Sequence, residues 1–339
     1  MASDQGCAGR GVCIRMENSY LVVGMVLSGL FFGWTIGSHY TGATMGMAYG
    51  SGVINSPRVA TLLIAIFVLL GATFESHNVV KTVGTGIIRG EDMTPLGAMV
   101  MMFTAAVVTA ANTWMKWPVS TSQLACFSVV GAALAMGAPV FWGTTIVFLC
   151  VTWVGTPIMS AILGFGFTHL TDGLMEGRSE RANQVLGYAL LVACCYAAYT
   201  LGANNTGNAV GVFYGLKLAT PMKAGFVGGI VMAIGALTWG RPILEKVGKG
   251  IVQLDMSMAV GAKAAQSITA HTAAFLGYPT SMNQALIGGV AGAGGARGLK
   301  TIDLKAMREI VISWFLTPVV AGIVSFVLYT TFSFVLEVH

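Results

Sequence analysis

The chain has 339 residues, of which 18 are basic and 13 acidic, so that only 9% carry a charge, whereas a soluble domain usually has about 25%. Hydrophobic residues make up 55%, and the formal net charge is +5. So few charges cannot cover the surface of a soluble protein of this size, which excludes soluble, fibrous and disordered classes and predicts a membrane protein. No basic patch with interleaved aromatic residues occurs, so no nucleic-acid partner is expected.

Long uncharged stretches indicate how often the chain enters the membrane. Asp, Glu, Lys and Arg are absent from five of them: residues 18–57, 117–171, 182–216, 264–296 and 310–336. One helical span needs about 20 apolar residues, so the longest stretch must enter the membrane more than once. The stretches are continuous rather than alternating, which excludes a β-barrel. The pattern predicts an all-α polytopic membrane protein with roughly 9–12 membrane segments.

The first 17 residues form a polar tail before the first apolar segment. Arg10 and Arg15 resemble the basic region of a signal peptide, but the apolar run after them is too long and has no clear cleavage site. We interpret it as an uncleaved first span. Cys7 and Cys13 fit no zinc spacing, and the other four cysteines lie in apolar runs, where cysteine is an ordinary small hydrophobe. No metal or cofactor is therefore expected.

Four short motifs recur in the same order at nearly constant spacing. Residues 37–46 recur as 202–211, an offset of 202 − 37 = 165, and residues 118–123 recur as 279–284, an offset of 279 − 118 = 161. The other pairs are residues 83–87 with 247–251, and 152–157 with 313–318. The repetition predicts two duplicated transmembrane repeats, residues 18–171 and 184–336, joined by a polar linker, residues 172–183. Internal duplication favours a secondary transporter with its site between the repeats. Hydropathy and the dispersed Lys and Arg residues leave open whether the repeats are parallel or inverted.

The repeated motifs place Gly, Asn, Ser, Thr or Pro inside long apolar runs, which predicts broken helices and re-entrant helical hairpins. In residues 118–123 and 279–284, proline is followed by residues that can cap a new helix. A helix N-terminus offers free N–H groups to an anion. We expect the two helix starts to face one another and to bind a tetrahedral oxyanion through Ser120, Thr121, Ser122, Gln123, Ser281, Met282, Asn283 and Gln284. The alternative is that these residues cap a re-entrant loop for packing alone.

Asn204, Asn205 and Asn208 bring three amides into an apolar segment. Asn204 and Asn208 share a helix face. They either bind the substrate or an ion, or join helices by hydrogen bonds. In the first repeat the equivalent residues are His39, Tyr40 and Ala43, flanked by Ser38 and Thr41. We add Ser38 and Thr41 to the expected substrate-binding residues.

Ionisable residues at membrane depth are costly and usually functional. Glu75, His77 and Lys81 follow an apolar run and are candidates for ion coupling, although an interfacial position explains them slightly better. His39, inside a predicted helix break, is the better candidate for a residue that responds to protons.

The motifs resemble those of the PiT-type inorganic phosphate transporters. Residues 202–209, Gly-Ala-Asn-Asn-Thr-Gly-Asn-Ala, are similar to the G-A-N-D-x-A-N-A signature of that family. Residues 117–123 resemble its P-V-S-T-T-H segment, and residues 240–251 its G-R-x-V-x-x-x-x-G-x-x-I stretch. The first copy, residues 36–54, is more similar to the sulfate permease branch, whose segment ends in M-G-x-A-Y-G-S-G, and residues 79–82 are similar to a V-V-K-T of that branch.

The resemblance implies an inverted-repeat fold, a homodimer in the plasma membrane, and sulfate as substrate, with thiosulfate, phosphate or another oxyanion as alternatives. The phosphate branch has Asn-Asp in both copies of the signature, where it binds sodium, and this chain has Asp in neither copy. Sodium coupling is therefore in doubt, and we expect protons to be the coupling ion.

Two other classes of function compete with transport. An intramembrane enzyme is disfavoured because neither H-E-x-x-H nor G-x-S-x-G occurs. An anion channel is excluded less firmly. The sequence therefore predicts a secondary active transporter that imports sulfate by proton symport with alternating access. The alternatives are a sodium-coupled phosphate transporter and an anion channel.

Overall fold

The structure, a computed structural model, describes residues 19–175, 180–250, 254–298 and 304–336. Cys7 and Cys13 lie outside these ranges, as does part of the predicted linker. Within them every regular element is helical. The helices are α1 (Ser19–His39), α2 (Thr41–Gly50), α3 (Pro57–Glu75), α4 (His77–Lys81), α5 (Pro95–Met115), α6 (Thr121–Met136), α7 (Val147–Met175), α8 (Glu180–Gly215), α9 (Pro221–Trp239), α10 (Arg241–Gly250), α11 (Met256–Phe275), α12 (Met282–Ala296) and α13 (Leu304–Leu336). Two π-helical turns, Thr82–Gly86 and Trp142–Ile146, and a 3₁₀ turn, Gly90–Asp92, complete them.

The helices of the two halves correspond one to one. The pair α1 and α2 matches α8, and α3 matches α9. Helix α4 with its π-helical turn matches α10, α5 matches α11, α6 matches α12, and α7 matches α13. The duplication in the sequence is therefore a duplication of structure. The exact boundaries of the two repeats remain a prediction.

Equivalent helices also begin with the same local chemistry. Ser56 caps α3 and Thr220 caps α9, and in both cases a proline occupies the first helical turn, where its fixed φ suits a helix. Ser120 and Ser281 cap α6 and α12, again through a side-chain oxygen that accepts from a backbone N–H of the first turn. Short polar side chains thus set the helix starts in both repeats.

The two repeats interlock rather than sit side by side. Helix α12 of the second repeat packs against α7 of the first, and α13 packs against α6. At the other side α3 packs against α8, and α9 against α1. Helices α6 and α12 approach each other at their N-terminal ends and pack for the rest of their length on α13 and α7. The protein therefore has two inverted repeats with an interface through the centre of the molecule.

Glycine allows the closest of these helix contacts. A Cβ atom on Gly71 of α3 would lie 1.9 Å from the backbone oxygen of Tyr199 in α8. A Cβ atom on Gly131 of α6 would lie 2.0 Å from the oxygen of Gly322 in α13. Small residues at such crossings let backbones approach, as in other membrane helix bundles.

Seven helical segments of the described chain are long and apolar enough to cross a membrane: Tyr20–Gly50, Pro57–Glu75, Pro95–Met115, Trp142–Met175, Asn183–Gly215, Pro221–Trp239 and Ile312–Leu336. Helices α6, α11 and α12 are not among these seven, and with them the number of segments would be 7 + 3 = 10, within the expected 9–12. Helices α6 and α12 have 16 and 15 residues, and at about 1.5 Å per residue they are shorter than the roughly 30 Å hydrocarbon core. They are the short arms of re-entrant hairpins with α5 and α11.

The helix break expected at both copies of the signature occurs in the first copy. Helix α1 ends at His39 and α2 begins at Thr41. In the second copy, α8 runs without interruption through Asn204, Asn205 and Asn208. The amide side chains themselves bond the neighbouring helices there, so the backbone does not have to open.

Candidate functional site

The candidate site is a buried polar network where the starts of α6 and α12 meet the signature segments of α1, α2 and α8. Ser120 Oγ accepts a hydrogen bond from the Gln123 backbone N–H at 3.3 Å. Ser281 Oγ accepts one from the Gln284 N–H at 3.2 Å. All four side chains are buried. The side chains of Gln123 and Gln284 meet, with Gln284 Nε2 donating to Gln123 Oε1 at 3.3 Å.

Each signature segment binds the residue before the cap of a short helix. Asn204 Oδ1 accepts from the Thr280 N–H at 2.9 Å, and Asn204 Nδ2 donates to the Thr280 carbonyl at 2.6 Å. In the first repeat, His39 Nε2 lies 3.3 Å from the Val119 nitrogen and 3.4 Å from its carbonyl oxygen. His39 is the counterpart of Asn204, and Val119 that of Thr280. The same contact is therefore made twice with different side chains.

The second repeat also holds the short helix of the first. Asn205 Nδ2 donates to Thr121 Oγ1 at 2.9 Å, and Asn208 Nδ2 donates to Ser122 Oγ at 3.0 Å. Ser122 Oγ in turn donates to the Thr280 carbonyl at 2.9 Å. These bonds join α8, α6 and the segment before α12 into one network.

The reciprocal contact comes from Asn283 of α12. Its Nδ2 donates to the Val119 carbonyl at 2.8 Å and lies 3.4 Å from His39 Nε2. His39 Nδ1 is 2.9 Å from Thr113 Oγ1. The imidazole is thus held on both ring nitrogens.

The network is neutral in composition. Among its described residues there are amides, hydroxyls, one imidazole and backbone groups, but no carboxylate. The N-terminal ends of α6 and α12 add the positive ends of two helix dipoles. Most of its polar atoms already bond one another, so an oxyanion that enters must replace some of these bonds. Within the described chain, Asn208 Oδ1 and Gln284 Oε1 are buried without a hydrogen-bond partner.

A cavity of about 340 Å³ adjoins the network between α6, α7, α12 and α13. It is lined by equivalent residues of the two repeats, namely Gln123 with Gln284, Trp153 with Trp314, and Pro157 with Pro318. The rest of its lining is mainly apolar. The two glutamines connect this cavity to the helix starts.

The structure brings most of the expected substrate-binding residues together. Ser120, Thr121, Ser122, Gln123, Asn204, Asn205, Asn208, Ser281, Asn283 and Gln284 all contribute side chains to the network. Met282 contributes its backbone, because its carbonyl accepts from Gln266 Nε2 at 3.0 Å.

Two expected residues lie beside the network. Ser38 Oγ donates to the carbonyls of Trp34 and Thr35 in its own helix. Thr41 Oγ1 donates to the Gly240 carbonyl at 2.7 Å, which ties α2 to the start of α10. Both side chains are buried beside the helix break, and of the two Thr41 joins one helix to another.

Of the ion-coupling candidates, His39 alone is brought to the network. Glu75 is half-buried at the end of α3, and His77 and Lys81 are exposed on α4. The role of this cluster, in ion coupling or at the membrane interface, stays a prediction.

Two buried residues of the site were not selected from the sequence. The Tyr40 hydroxyl accepts from the Thr121 N–H and from Thr121 Oγ1, both at 3.1 Å. Lys263 of α11 is fully buried, and its Nζ lies 2.5 Å from the Ala43 carbonyl oxygen. In the sequence Lys263 was only the edge of an uncharged stretch. A signal was available in Gln266, three residues later on the same helix face.

Comparisons with known proteins agree with this architecture. The model of the phosphate transporter family matches the chain twice, over residues 36–180 and 171–325. The sulfate permease CysP of Bacillus subtilis (strain 168) is 29% identical over 313 residues, which cover 91% of this chain and 87% of that protein.

A second relative and a solved structure extend the comparison. The chloroplast inorganic phosphate transporter 2-1 of Arabidopsis thaliana is 23% identical over 438 residues, covering 94% of this chain and 73% of that protein. A solved structure, the sodium-dependent phosphate transporter, has the same fold with a TM-score of 0.84 at 21% identity, covering 94% of this chain and 99% of the other. The fold and the relatives are those of membrane transporters rather than enzymes. This chain belongs to the phosphate transporter family.

Proposed function

We propose that the protein imports sulfate across the plasma membrane by symport with protons. The main support for sulfate as the substrate is the absence of any carboxylate from the described network. Sulfate has no proton at neutral pH and needs only hydrogen-bond donors. Phosphate retains one or two protons and is best bound where an acceptor, typically a carboxylate, receives them. A network of amides, hydroxyls and helix starts suits sulfate.

The helix starts supply the attraction for the anion. Ser120 and Ser281 cap α6 and α12 at the centre of the molecule, so two sets of backbone N–H groups point toward the network. Helix N-termini favour anions through these donors and through the helix dipole. Inverted repeats that meet at such a site are the usual basis of alternating access.

His39 supports the choice of protons as the coupling ion. Its Nε2 lies within reach of both the N–H and the C=O of Val119. A neutral ring accepts from the N–H, and a protonated ring donates to the carbonyl. Val119 precedes the cap of α6, so protonation of His39 changes the bonding at a helix start that we assign to the substrate.

The names of the relatives divide between sulfate and phosphate. The Bacillus subtilis relative is named a sulfate permease. The alternative, sodium-coupled phosphate uptake, is supported by the solved structure that shares this fold, because that protein is a sodium-dependent phosphate transporter. An anion channel is the third possibility.

We also propose that the protein works as a homodimer. The family resemblance supports this, and α7 and α13 have broad exposed apolar faces that include Val151, Phe315 and Phe334. In a monomer, lipid alone would cover these faces. The assembly is tested by cross-linking in native membranes. We expect a cross-linked dimer, and a monomer alone would contradict the proposal.

The substrate is tested by uptake of radiolabelled sulfate into proteoliposomes, with unlabelled sulfate, thiosulfate or phosphate as competitors. We expect saturable uptake that excess sulfate abolishes and excess phosphate leaves largely intact. Labelled phosphate uptake without sulfate uptake would contradict the proposal. Current in planar bilayers too large for a carrier would indicate a channel.

A further inference from the structure

A buried ammonium group lies next to the substrate network without an acidic partner. Lys263 Nζ donates to the Ala43 carbonyl of α2 at 2.5 Å and to Gln266 Oε1 at 2.8 Å. Gln266 Nε2 donates to the same Ala43 carbonyl and to the Met282 carbonyl, both at 3.0 Å. Lys263 is among the largest fully buried side chains of the described chain.

The surroundings of Lys263 contain no compensating negative charge. The ion pairs of the described residues are Arg89–Glu91, Arg241–Glu245, Arg297–Asp172 and Arg297–Asp255, so no described carboxylate lies within 4 Å of the lysine. Cys194 of α8 is close enough to interact with it electrostatically.

The other described helices that pack against α11 place no acidic side chain next to Lys263. Helix α12 has no titratable side chain, and α2 contributes only Tyr49. The titratable residues of α7 and α4 are Cys150, His169, Asp172, His77 and Lys81. Asp172 is engaged by Arg297.

A buried charge without an ion pair is costly and persists where it has a function. The groups that hold Lys263 are a backbone carbonyl and an amide carbonyl. Such neutral oxygens are also what transporters and channels use to bind alkali cations. The ammonium therefore has the surroundings of a bound monovalent cation.

The position connects this cation to both repeats. Ala43 is the counterpart of Asn208, since 43 + 165 = 208, and Asn208 contacts the cap region of α6. Met282 is the first residue of α12. Gln266, which bonds both Lys263 and the Met282 carbonyl, thus links the positive charge to the helix start that Ser281 caps.

We propose that the Lys263 ammonium is a resident cation that takes the place of a coupling sodium ion, so that oxyanion uptake by this protein needs no sodium. The inference rests on the proposed function in two respects, that the network binds an oxyanion and that sodium is not the coupling ion. A fixed positive charge beside the network offsets part of the charge of a sulfate dianion. It also leaves no room for a metal cation among the same oxygens.

The test compares wild type with Lys263→Met, Lys263→Ala and Lys263→Arg in proteoliposomes, in sodium and in choline buffers. Wild-type uptake should be the same in both. Lys263→Met, which keeps the volume and removes the charge, should lose at least about tenfold, as expected when one member of a buried polar contact is removed. Lys263→Ala should regain part of its uptake in sodium, because the freed oxygens can bind the ion. Lys263→Arg should stay independent of sodium.

Uptake by Lys263→Met equal to that of the wild type in choline would overturn the inference alone, whereas wild-type uptake that requires sodium would overturn the inference together with proton coupling. Size-exclusion chromatography shows whether the variants fold, and Lys263→Arg, which keeps the charge, still tests the inference if Lys263→Met does not fold, because a sodium requirement in Lys263→Arg would contradict it. If wild type transports phosphate rather than sulfate, the proposed substrate fails, and the same comparison run with phosphate still tests Lys263.

Discussion

Gln284 Nε2 donates to Gln123 Oε1 at 3.3 Å, and these two glutamines are the same residue in the two repeats, since 284 − 123 = 161. Each follows the cap of a short helix. Their contact places the pseudo-twofold axis of the protein at the starts of α6 and α12. A substrate bound there faces equivalent side chains of both repeats, which is what alternating access requires of a central site.

The first prediction concerns the residues that hold these helix starts. Ser120→Ala, Ser281→Ala and Asn204→Ala should each abolish sulfate uptake, because each removes a polar group that positions backbone donors for the anion. Loss of a cap costs about 1 kcal/mol of stability, and loss of one buried hydrogen-bonding side chain such as Asn204 costs about 1–3 kcal/mol, so the variants should still fold. Uptake into proteoliposomes measures the effect.

Ser325→Ala is the matched control, because Ser325 is a buried serine of α13 whose hydroxyl donates to the Ser128 carbonyl outside the network. It should keep most of the wild-type uptake. Normal transport by all three network variants would exclude this site.

The second prediction concerns selectivity. Asn205→Asp restores the Asn-Asp pair that the resemblance assigns to the phosphate branch and places a carboxylate beside Thr121 Oγ1. A carboxylate repels sulfate but accepts a hydrogen bond from the O–H of a phosphate. Sulfate uptake should fall and the ratio of phosphate to sulfate uptake should rise. Asn112→Asp, outside the network, is the control. An unchanged ratio in Asn205→Asp would argue against the role of charge in this selection.

The third prediction concerns pH. Wild-type uptake should rise as the external solution is acidified, because protons are taken up with the anion. His39→Asn gives the first repeat the residue of the second and can still bond Val119, but it cannot carry a proton. Its uptake should therefore become insensitive to external pH.

His169→Asn is the comparison variant, since His169 packs at the Phe165 ring of α7 away from the network. It should keep the acid response. A full acid response in His39→Asn would move the proton site elsewhere.

The fourth prediction concerns packing of the repeats. Gly71→Ala puts a methyl group against the Tyr199 carbonyl, so α3 and α8 must separate, and overpacking of this kind costs about 1–3 kcal/mol. The thermal unfolding midpoint of the detergent-solubilised protein should fall clearly. Gly155→Ala, where the added atom meets nothing within 4 Å, should leave the midpoint equal or slightly raised. Equal midpoints for the two variants would contradict the close helix contact.

Much of the fold could be predicted from the sequence because the duplication is visible as recurring motifs. The recurring motifs predicted the two repeats and helix starts within residues 118–123 and 279–284, where Ser120 and Ser281 prove to be the caps. The length and polarity of each segment could not be obtained in the same way. Apolar length does not reveal that α6 and α12 are short arms, nor that α11 buries Lys263 and Gln266 in its middle.

The site was predicted in part for a similar reason. Residue type and repetition identified the hydroxyls and amides, because such groups in apolar runs must find partners. The partners themselves depend on how the repeats cross, so the sequence did not show that Tyr40 bonds Thr121 or that Lys263 reaches Ala43. Ser38 and Thr41 show the opposite case, a predicted site residue that lies outside the network. Their hydroxyls donate to nearby backbone carbonyls instead.

The central claim is tested most directly by radiolabelled sulfate uptake into sodium-free proteoliposomes with an imposed pH gradient. An inwardly directed proton gradient should drive transient accumulation of sulfate above its equilibrium level, and a protonophore should remove it. Accumulation that appears only with an inward sodium gradient, and does not respond to protons, would contradict the account.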